Sequence, residues 1–247
     1  MCQARQWRPE VQVTATPAAG KATPSKVRVA VQMAAMIVVW GAALFGSAGR
    51  VDWPRGWFHY CLTNAGMIAG MLIVRRYNPG LWTERAKKHE GTKRFDKIFI
   101  RLHAPTIFLL PVVAGLDAVR FGWAPLPLWA MYPGLVLFGA GTSLVTWSAA
   151  VNPHLERMVR IQTDRGHRVI CDGPYRFVRH PMYLGVILGN AAAPLILGSG
   201  WAFAVAFYDI VLFAWRAALE DRTLRAELPG YAEFTQQTRY RLVPGLW

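Results

Sequence analysis

The sequence predicts an all-α, polytopic helical membrane protein with about six transmembrane helices, a C-terminal helical hairpin and an amphipathic cytosolic tail. Hydrophobic residues make up 53% of the 247, and they include 11 Trp and 12 Phe. Several apolar runs approach the ~20 residues that a helix needs to cross a bilayer. The positive charges gather in alternate connections between these runs. Together these features exclude an ordinary soluble domain.

The chain divides into a basic arm, a four-helix transmembrane region and a C-terminal region. The arm, 1–26, is rich in Ala, Pro, Thr and Arg and is predicted to be disordered. It has no cleavage-site pattern, so we expect the first span to be retained. The transmembrane region covers 27–150, and the C-terminal region, 151–247, contains the hairpin and the tail. The six predicted spans are 27–47, 57–74, 98–119, 123–149, 182–197 and 201–218.

Membrane topology explains the formal net charge of +14 better than nucleic-acid binding does. Five Lys and Arg residues lie in the first 28 positions, eight in 75–97, six in 157–179 and five in 216–241. The alternate connections hold almost none. By the positive-inside rule, both termini and the basic connections are cytosolic. We expect contact with anionic membrane lipids and no nucleic-acid partner.

The most informative segment is 179–184, where a cationic loop meets an apolar span. Pro181 has no backbone N–H and suits the first position of a helix, which puts His180 at or near the N-cap. The helix N-terminus would then face the cytosol beside Arg176 and Arg179, an arrangement that suits an anion. The alternative is that these charges only orient a membrane helix.

The last two spans are joined only by Gly198-Ser199-Gly200, which predicts a tight helical hairpin. Its two ends would bring His180 and Tyr183 close to the second polar cluster, Arg216, Glu220 and Asp221. Asp209, Arg216 and Glu220 follow helical spacing and share one face. The plainer alternatives are a structural ion pair between Asp209 and Arg216 and a surface pair between Arg216 and Glu220.

Two segments are predicted to lie on the membrane surface. The basic connection 75–91 predicts a helix at the headgroups, with Trp82 as its interfacial anchor. After Asp221, the residues Leu224, Leu228, Tyr231 and Phe234 predict two short amphipathic helices. The final segment, 239–247, either closes over a site or packs against headgroups.

The pattern Gly173-Pro-Tyr-x-x-x-Arg-His-Pro-x-Tyr183, followed by a hairpin, Glu220-Asp-x-x-Leu224, Tyr231 and Tyr240-Arg241, resembles the isoprenylcysteine carboxyl methyltransferase family. Phospholipid N-methyltransferases share much of this pattern. The resemblance covers about 152–247 and implies that 151–247 is a cofactor-binding catalytic region. It implies S-adenosyl-L-methionine as the cofactor and Arg216 as the residue that faces the methyl acceptor. By the same resemblance the cofactor would be lined by Gln162, His167, Arg168, Val169, Ile170, Tyr175, His180, Pro181, Met182, Tyr183 and Glu220.

The chemistry of these residues agrees with that resemblance. A helix N-terminus with His180 suits the cofactor carboxylate, and Glu220 suits its ammonium or ribose hydroxyls. Arg216 could clamp an acceptor carboxylate, which is already ionised and needs no base. We therefore expect O-methylation of a lipophilic carboxylate, such as a prenylated cysteine, that enters from the bilayer. Asp221 stands where the family usually has Glu, which changes only the reach of the side chain.

Other functions stay open. The nearest are N-methylation of a phospholipid amine and S-methylation of a small thiol. Some membrane sterol and steroid reductases that use NADPH have a related Arg-His-Pro-x-Tyr segment, although the Glu220-Asp221 pair suits a cationic cofactor better than a 2′-phosphate. A non-enzymatic transporter or scaffold would need a polar path through the spans, for which the candidates are Arg101, His103, Asp117 and Asp209.

We expect no metal site. The histidines that lie outside the motif have no metal-ligand spacing among them. They are His59, His89, His103 and His154.

Overall fold

Helices form the regular structure of the residues that this computed structural model describes, which are 26–86 and 91–247. An isolated bridge between Pro125 and Ser199 is the only β pairing in those two ranges. Most of the arm predicted over 1–26, and His89 in the second connection, lie outside the described residues. The helices are α1 (Lys26–Ala48), α2 (Pro54–Tyr77), α3 (Gly80–Ala86), α4 (Arg94–His103), α5 (Thr106–Gly115), α6 (Met131–Val151), α7 (Pro181–Leu197), α8 (Ala202–Glu227) and α9 (Tyr231–Gln237).

Five helical segments of the described chain are long and apolar enough to cross a membrane, and α7 is a shorter apolar helix. The predicted all-α polytopic fold is therefore confirmed. The third span, Arg94–Phe121, joins α4, α5 and a π-helical turn, with a break between α4 and α5 at Pro105. The predicted start of the fourth span at residue 123 is wrong, because Gly122 is left-handed (φ 61°) and the 3-10 turn begins only at Leu128.

The hairpin predicted around Gly198-Ser199-Gly200 forms, and the partly buried Arg55 and the buried Asp117 satisfy the helix ends beside it. Arg55 donates to the carbonyl oxygens of Leu195 (2.6 Å) and Ile196 (2.8 Å), at the C-terminal end of α7. Asp117 accepts from Ser199 Oγ (2.6 Å) and from the backbone N–H of Trp201 (3.0 Å), where α8 begins. Helix ends leave such backbone groups without intrahelical partners. Asp117 is thus occupied at a helix end and not in a polar path with Asp209.

Helices α6 and α7 pack through glycines that let their backbones approach. A Cβ at Gly141 would lie 2.6 Å from the carbonyl oxygen of Gly185, and one at Gly185 would lie 2.7 Å from that of Gly141. Small residues at helix contacts are typical of membrane bundles. The contact joins α6, the last helix of the predicted transmembrane region 27–150, to α7, the first helix of the hairpin in the region 151–247.

The C-terminal segment packs against the loop before α7. Backbone N–H groups of Arg179 and His180 donate to the carbonyl oxygens of Tyr240 and Arg241, each at 2.9 Å. The prediction of two amphipathic surface helices is wrong. Helix α8 continues to Glu227, a single short helix α9 follows, and Leu228, Tyr231 and Phe234 are buried. Their apolar faces pack on the protein, because the loop around Tyr175 offers them an apolar partner.

The close contact of α6 with α7 yields a stability prediction. Gly141→Ala should lower the thermal midpoint of the detergent-solubilised protein, since the new methyl group must push the two backbones apart. Overpacking of this kind costs about 1–3 kcal/mol. Gly139→Ala, on the same helix with nothing within 4 Å of an added Cβ, is the matched control. Equal midpoints for the two variants would contradict the tight packing.

Candidate active site

A cavity lies at the end of the bundle where α7 begins, between that helix, the last turns of α8, the loop 152–180 and α9. We call it the site cavity. It is lined by all twelve site residues predicted from the sequence, which are Gln162, His167, Arg168, Val169, Ile170, Tyr175, His180, Pro181, Met182, Tyr183, Arg216 and Glu220. The fold thus brings the whole predicted set together, and the role of each residue stays a prediction.

The first turn of α7 has the predicted form. Pro181 is its first residue, and His180 is the N-cap with non-helical φ −123° and ψ 61°. The His180 ring stacks on Tyr183 at 5.5 Å between ring centroids, with an interplanar angle of 4°. The Tyr183 hydroxyl donates a hydrogen bond to Glu220 of α8. The two hairpin ends are therefore neighbours, as predicted, and Glu220 is fixed at the cavity wall.

The carboxylate of Asp221 holds the surrounding segments together. It is fully buried, and it accepts from Arg179 Nε (2.7 Å), Arg241 Nε (3.1 Å) and the Tyr231 hydroxyl (3.0 Å). Arg179 also donates to the carbonyl oxygens of Thr238 and Arg239. Asp221 therefore connects α8 to the loop before α7, to α9 and to the C-terminal segment.

Arg216 is buried and rigidly held. Its Nη2 lies 2.8 Å from Asp96 Oδ1 and donates to the carbonyl oxygen of Arg157, also at 2.8 Å. Its guanidinium carbon lies 4.4 Å from the ring centroid of Phe99 and 5.2 Å from that of Tyr183. In the described part of the chain, no hydrogen-bond partner reaches Arg216 Nε. Because Arg216 is buried and forms its ion pair with Asp96, it is not held by the surface pair with Glu220 that we considered.

Asp209 does not pair with Arg216 either, although the two share a face of α8. Its carboxylate lies 3.0 Å from His103 Nδ1 and accepts from the Thr106 hydroxyl at 2.8 Å. These residues lie deeper among the spans and do not line the site cavity.

The loop between α6 and α7 supplies polar groups whose hydrogen bonds stay within the loop. The Gln162 side-chain amide donates to the carbonyl oxygen of His154 (2.6 Å) and accepts from Arg165 (2.8 Å). Its backbone N–H donates to His167 Nδ1 at 3.3 Å. Burial, with the nearby His154 and two arginines, lowers the pKa of His167 to about 4. His167 is therefore neutral at physiological pH.

Aromatic side chains close the other side of the cavity. Tyr175 is buried among Leu228, Tyr231 and Phe234, and its hydroxyl accepts from Asn152 Nδ2 at 2.9 Å. Burial raises the pKa of the Tyr175 hydroxyl above its ordinary value, so the group stays protonated. The wall thus presents neutral, largely apolar rings opposite Glu220 and Arg216.

In the two described ranges, no three His, Cys, Asp or Glu side chains come together as metal ligands. The absence of a metal site stays a prediction, since His89 lies outside those ranges.

Residues 136–226 match the model of the Isoprenylcysteine carboxyl methyltransferase (ICMT) family. This segment belongs to the ICMT family. For this segment the match confirms the family that the sequence motif predicted, and it supports a membrane methyltransferase at that coarse level. It begins within α6, ends within α8 and includes both ends of the hairpin. No curated protein matches the chain.

The structure adds residues that the sequence did not single out. Asp96, from outside the matched segment, pairs with Arg216, and Asn152 contacts Tyr175. Glu156 and Arg160 line the cavity and pair at 2.9 Å. Only the last pair has a sequence signal, its spacing of four residues. The others depend on contacts between separate elements.

The lowered pKa of His167 predicts a pH dependence of stability. Above the ordinary pKa of ~6.5 the imidazole is neutral in both states. As the pH falls toward about 4, the unfolded chain binds the proton first, so stability decreases over that window. We expect His167→Gln to show a shallower fall of the thermal midpoint between those two pH values. Identical slopes for both proteins would contradict a partly buried, neutral His167.

Proposed function

We propose that this ICMT-family protein transfers a methyl group from S-adenosyl-L-methionine to the carboxylate of a lipophilic acceptor, such as a prenylated cysteine or a similar molecule. One observation carries the proposal. A single cavity brings Glu220, His180 at a helix N-terminus and the buried Arg216 together, beside membrane-spanning helices. This set offers separate groups for a cationic cofactor and for an anionic acceptor.

The lining residues fit the cofactor by their chemistry. Glu220 suits the ammonium group or the ribose hydroxyls, and the start of α7 with His180 suits the carboxylate. The rings of Tyr175 and Phe234 suit the adenine, because stacking needs flat apolar faces. When bound, the cofactor supplies an electrophilic methyl group.

Arg216 supports a carboxylate acceptor. Asp96, the Arg157 carbonyl and two aromatic rings fix its guanidinium, while Nε keeps a hydrogen that no described residue accepts. A carboxylate that reaches this buried group could accept from it, and a guanidinium held in advance favours a fixed alignment of the acceptor. The carboxylate is already ionised, so the chain needs no base for this acceptor. An amine would first have to lose a proton, and a thiol gains less from a bidentate clamp.

Cofactor identity gives the first test. S-adenosylhomocysteine should raise the thermal midpoint of the purified protein, because a ligand that binds only the native state stabilises it. NADPH should leave the midpoint unchanged. Glu220→Gln should weaken S-adenosylhomocysteine binding by about 1.5–3 kcal/mol in calorimetry, for a lost charge-assisted hydrogen bond. Arg222→Gln, at an exposed position on the same helix, is the matched control.

Arg216→Lys distinguishes a role in acceptor binding from a role in cofactor binding within the same experiment. Lys keeps a charge for the buried Asp96 but cannot form a bidentate clamp. We expect S-adenosylhomocysteine to bind nearly as before while methyl transfer to a lipophilic carboxylate collapses. If Arg216→Lys weakens cofactor binding as much as Glu220→Gln does, Arg216 belongs to the cofactor site and the main support for a carboxylate acceptor is lost. Stabilisation by NADPH alone would favour a reductase.

We further propose that the site cavity and both termini face the cytosol, as the charge asymmetry indicates. Phe177 and Val51 are 62% and 68% exposed at opposite ends of the bundle. With Cys2, Cys61 and Cys171 replaced by Ser, Phe177→Cys should react with an impermeant maleimide only after the cells are opened. Val51→Cys should react in intact cells. Labelling of both from the same side would contradict this topology.

A further inference from the structure

A second cavity, of about 480 Å³, lies among the membrane-spanning helices. We call it the membrane cavity. Most of its lining is apolar, and its size falls within the roughly 300–1,000 Å³ typical of pockets for small organic molecules. It is bounded by α2, α5, α6, α7 and α8, with Thr63, Gly70, Pro111, Thr142, Gly189 and Asp209 on its walls.

One polar group of this cavity is already satisfied. Asp209 accepts from Thr106 at 2.8 Å and from Asn190 Nδ2 at 3.3 Å, and it lies 3.0 Å from His103 Nδ1. This cluster forms a polar strip on an otherwise apolar wall.

Two other polar groups are not satisfied. His59 is 4% exposed and stacks on Trp40, yet no described residue reaches its Nδ1. The Thr63 hydroxyl, one helical turn further along α2, is also buried without a partner in the described ranges. Both residues line the membrane cavity. A buried polar atom without a partner costs free energy, which a ligand oxygen in the cavity would recover.

The membrane cavity and the site cavity lie one after the other along α7 and α8. On α8, Asp209 lines the former and Arg216 the latter, at seven residues or about 10 Å of helix rise. Arg85 of α3, which lines the membrane cavity, lies 3.9 Å from the sulfur of Met182 on the site cavity. His59 belongs to the far end, close to Arg55 and the hairpin loop.

We infer that the membrane cavity binds the apolar body of a lipid that carries a hydroxyl or carbonyl oxygen well away from its carboxylate end. An unbranched or prenyl hydrocarbon would leave His59 and Thr63 without partners, whereas such an oxygen satisfies them. That this lipid is the methyl acceptor rests on the proposed function; that it binds here does not.

A matched pair of probes tests the inference on the full chain in detergent. 12-Hydroxyoctadecanoate should bind about 3- to 10-fold more tightly than octadecanoate in calorimetry, the value of about one neutral hydrogen bond. His59→Phe and the nearly isosteric Thr63→Val should each move that ratio toward one and leave the Kd for octadecanoate almost unchanged. Equal affinities of the native protein for the two probes would overturn the inference, and Thr63→Val carries the test if His59→Phe does not fold.

A filling variant tests the location. An added Cβ at Gly189 meets nothing within 4 Å, so Gly189→Leu projects into the membrane cavity without a backbone clash. It should weaken both probes at least 10-fold, while Gly139→Leu, on the exposed side of α6, should not. Unchanged binding in Gly189→Leu would place the probes elsewhere and reject the site. If the hydroxylated probe binds selectively but S-adenosylhomocysteine does not bind, the lipid site stands and the proposed function fails.

Discussion

Two polar contacts set the register of α4 against α8, and the site depends on that register. Asp96 pairs with Arg216 at 2.8 Å, and His103 lies 3.0 Å from Asp209. On each helix the two residues are seven positions apart, and their order along the chain is reversed between the helices. The two helices are therefore antiparallel and matched in register over two turns. A slip by one residue would leave a buried arginine and a buried aspartate without partners, which typically costs 3–5 kcal/mol for each broken pair. Arg216 therefore owes its position to a helix outside the family-matched segment.

A second buried charge, Asp221, fixes the segments around the end of the bundle where α7 begins. Three separate segments reach its buried carboxylate, through Arg179, Tyr231 and Arg241. Because Arg179 immediately precedes His180, the pair with Asp221 also fixes where α7 begins. Asp in place of the family's usual Glu shortens the side chain, yet three partners still lie within 3.1 Å. The loop before α7 and the C-terminal segment lie close enough to α8 for the shorter side chain to contact both.

The sequence predicted those features that depend on local chemistry. Pro181 defined the start of α7, the three residues around Ser199 defined the hairpin, and proximity of the hairpin ends followed from geometry alone. Pairings between distant elements were not predictable, because they depend on how each helix is rotated about its axis. Helical spacing put Asp209 and Arg216 on one face correctly, but it could not reveal that α4 supplies a partner for each. The apolar side of α9 was assigned to headgroups for the same reason, since its partner around Tyr175 comes from another part of the chain.

The second and third spans supply groups that hold Arg216 or line the membrane cavity. The family match covers residues 136–226, yet the charge that holds Arg216 and the ring of Phe99 beside it come from α4. Several polar groups of the membrane cavity also come from α2 and the third span, namely His59, Thr63, His103 and Thr106. On the proposed function, methyl transfer uses the hairpin and its loop, whereas the body of the acceptor contacts groups deeper in the membrane. On that proposal, part of the recognition of the lipid comes from helices outside the family-matched segment.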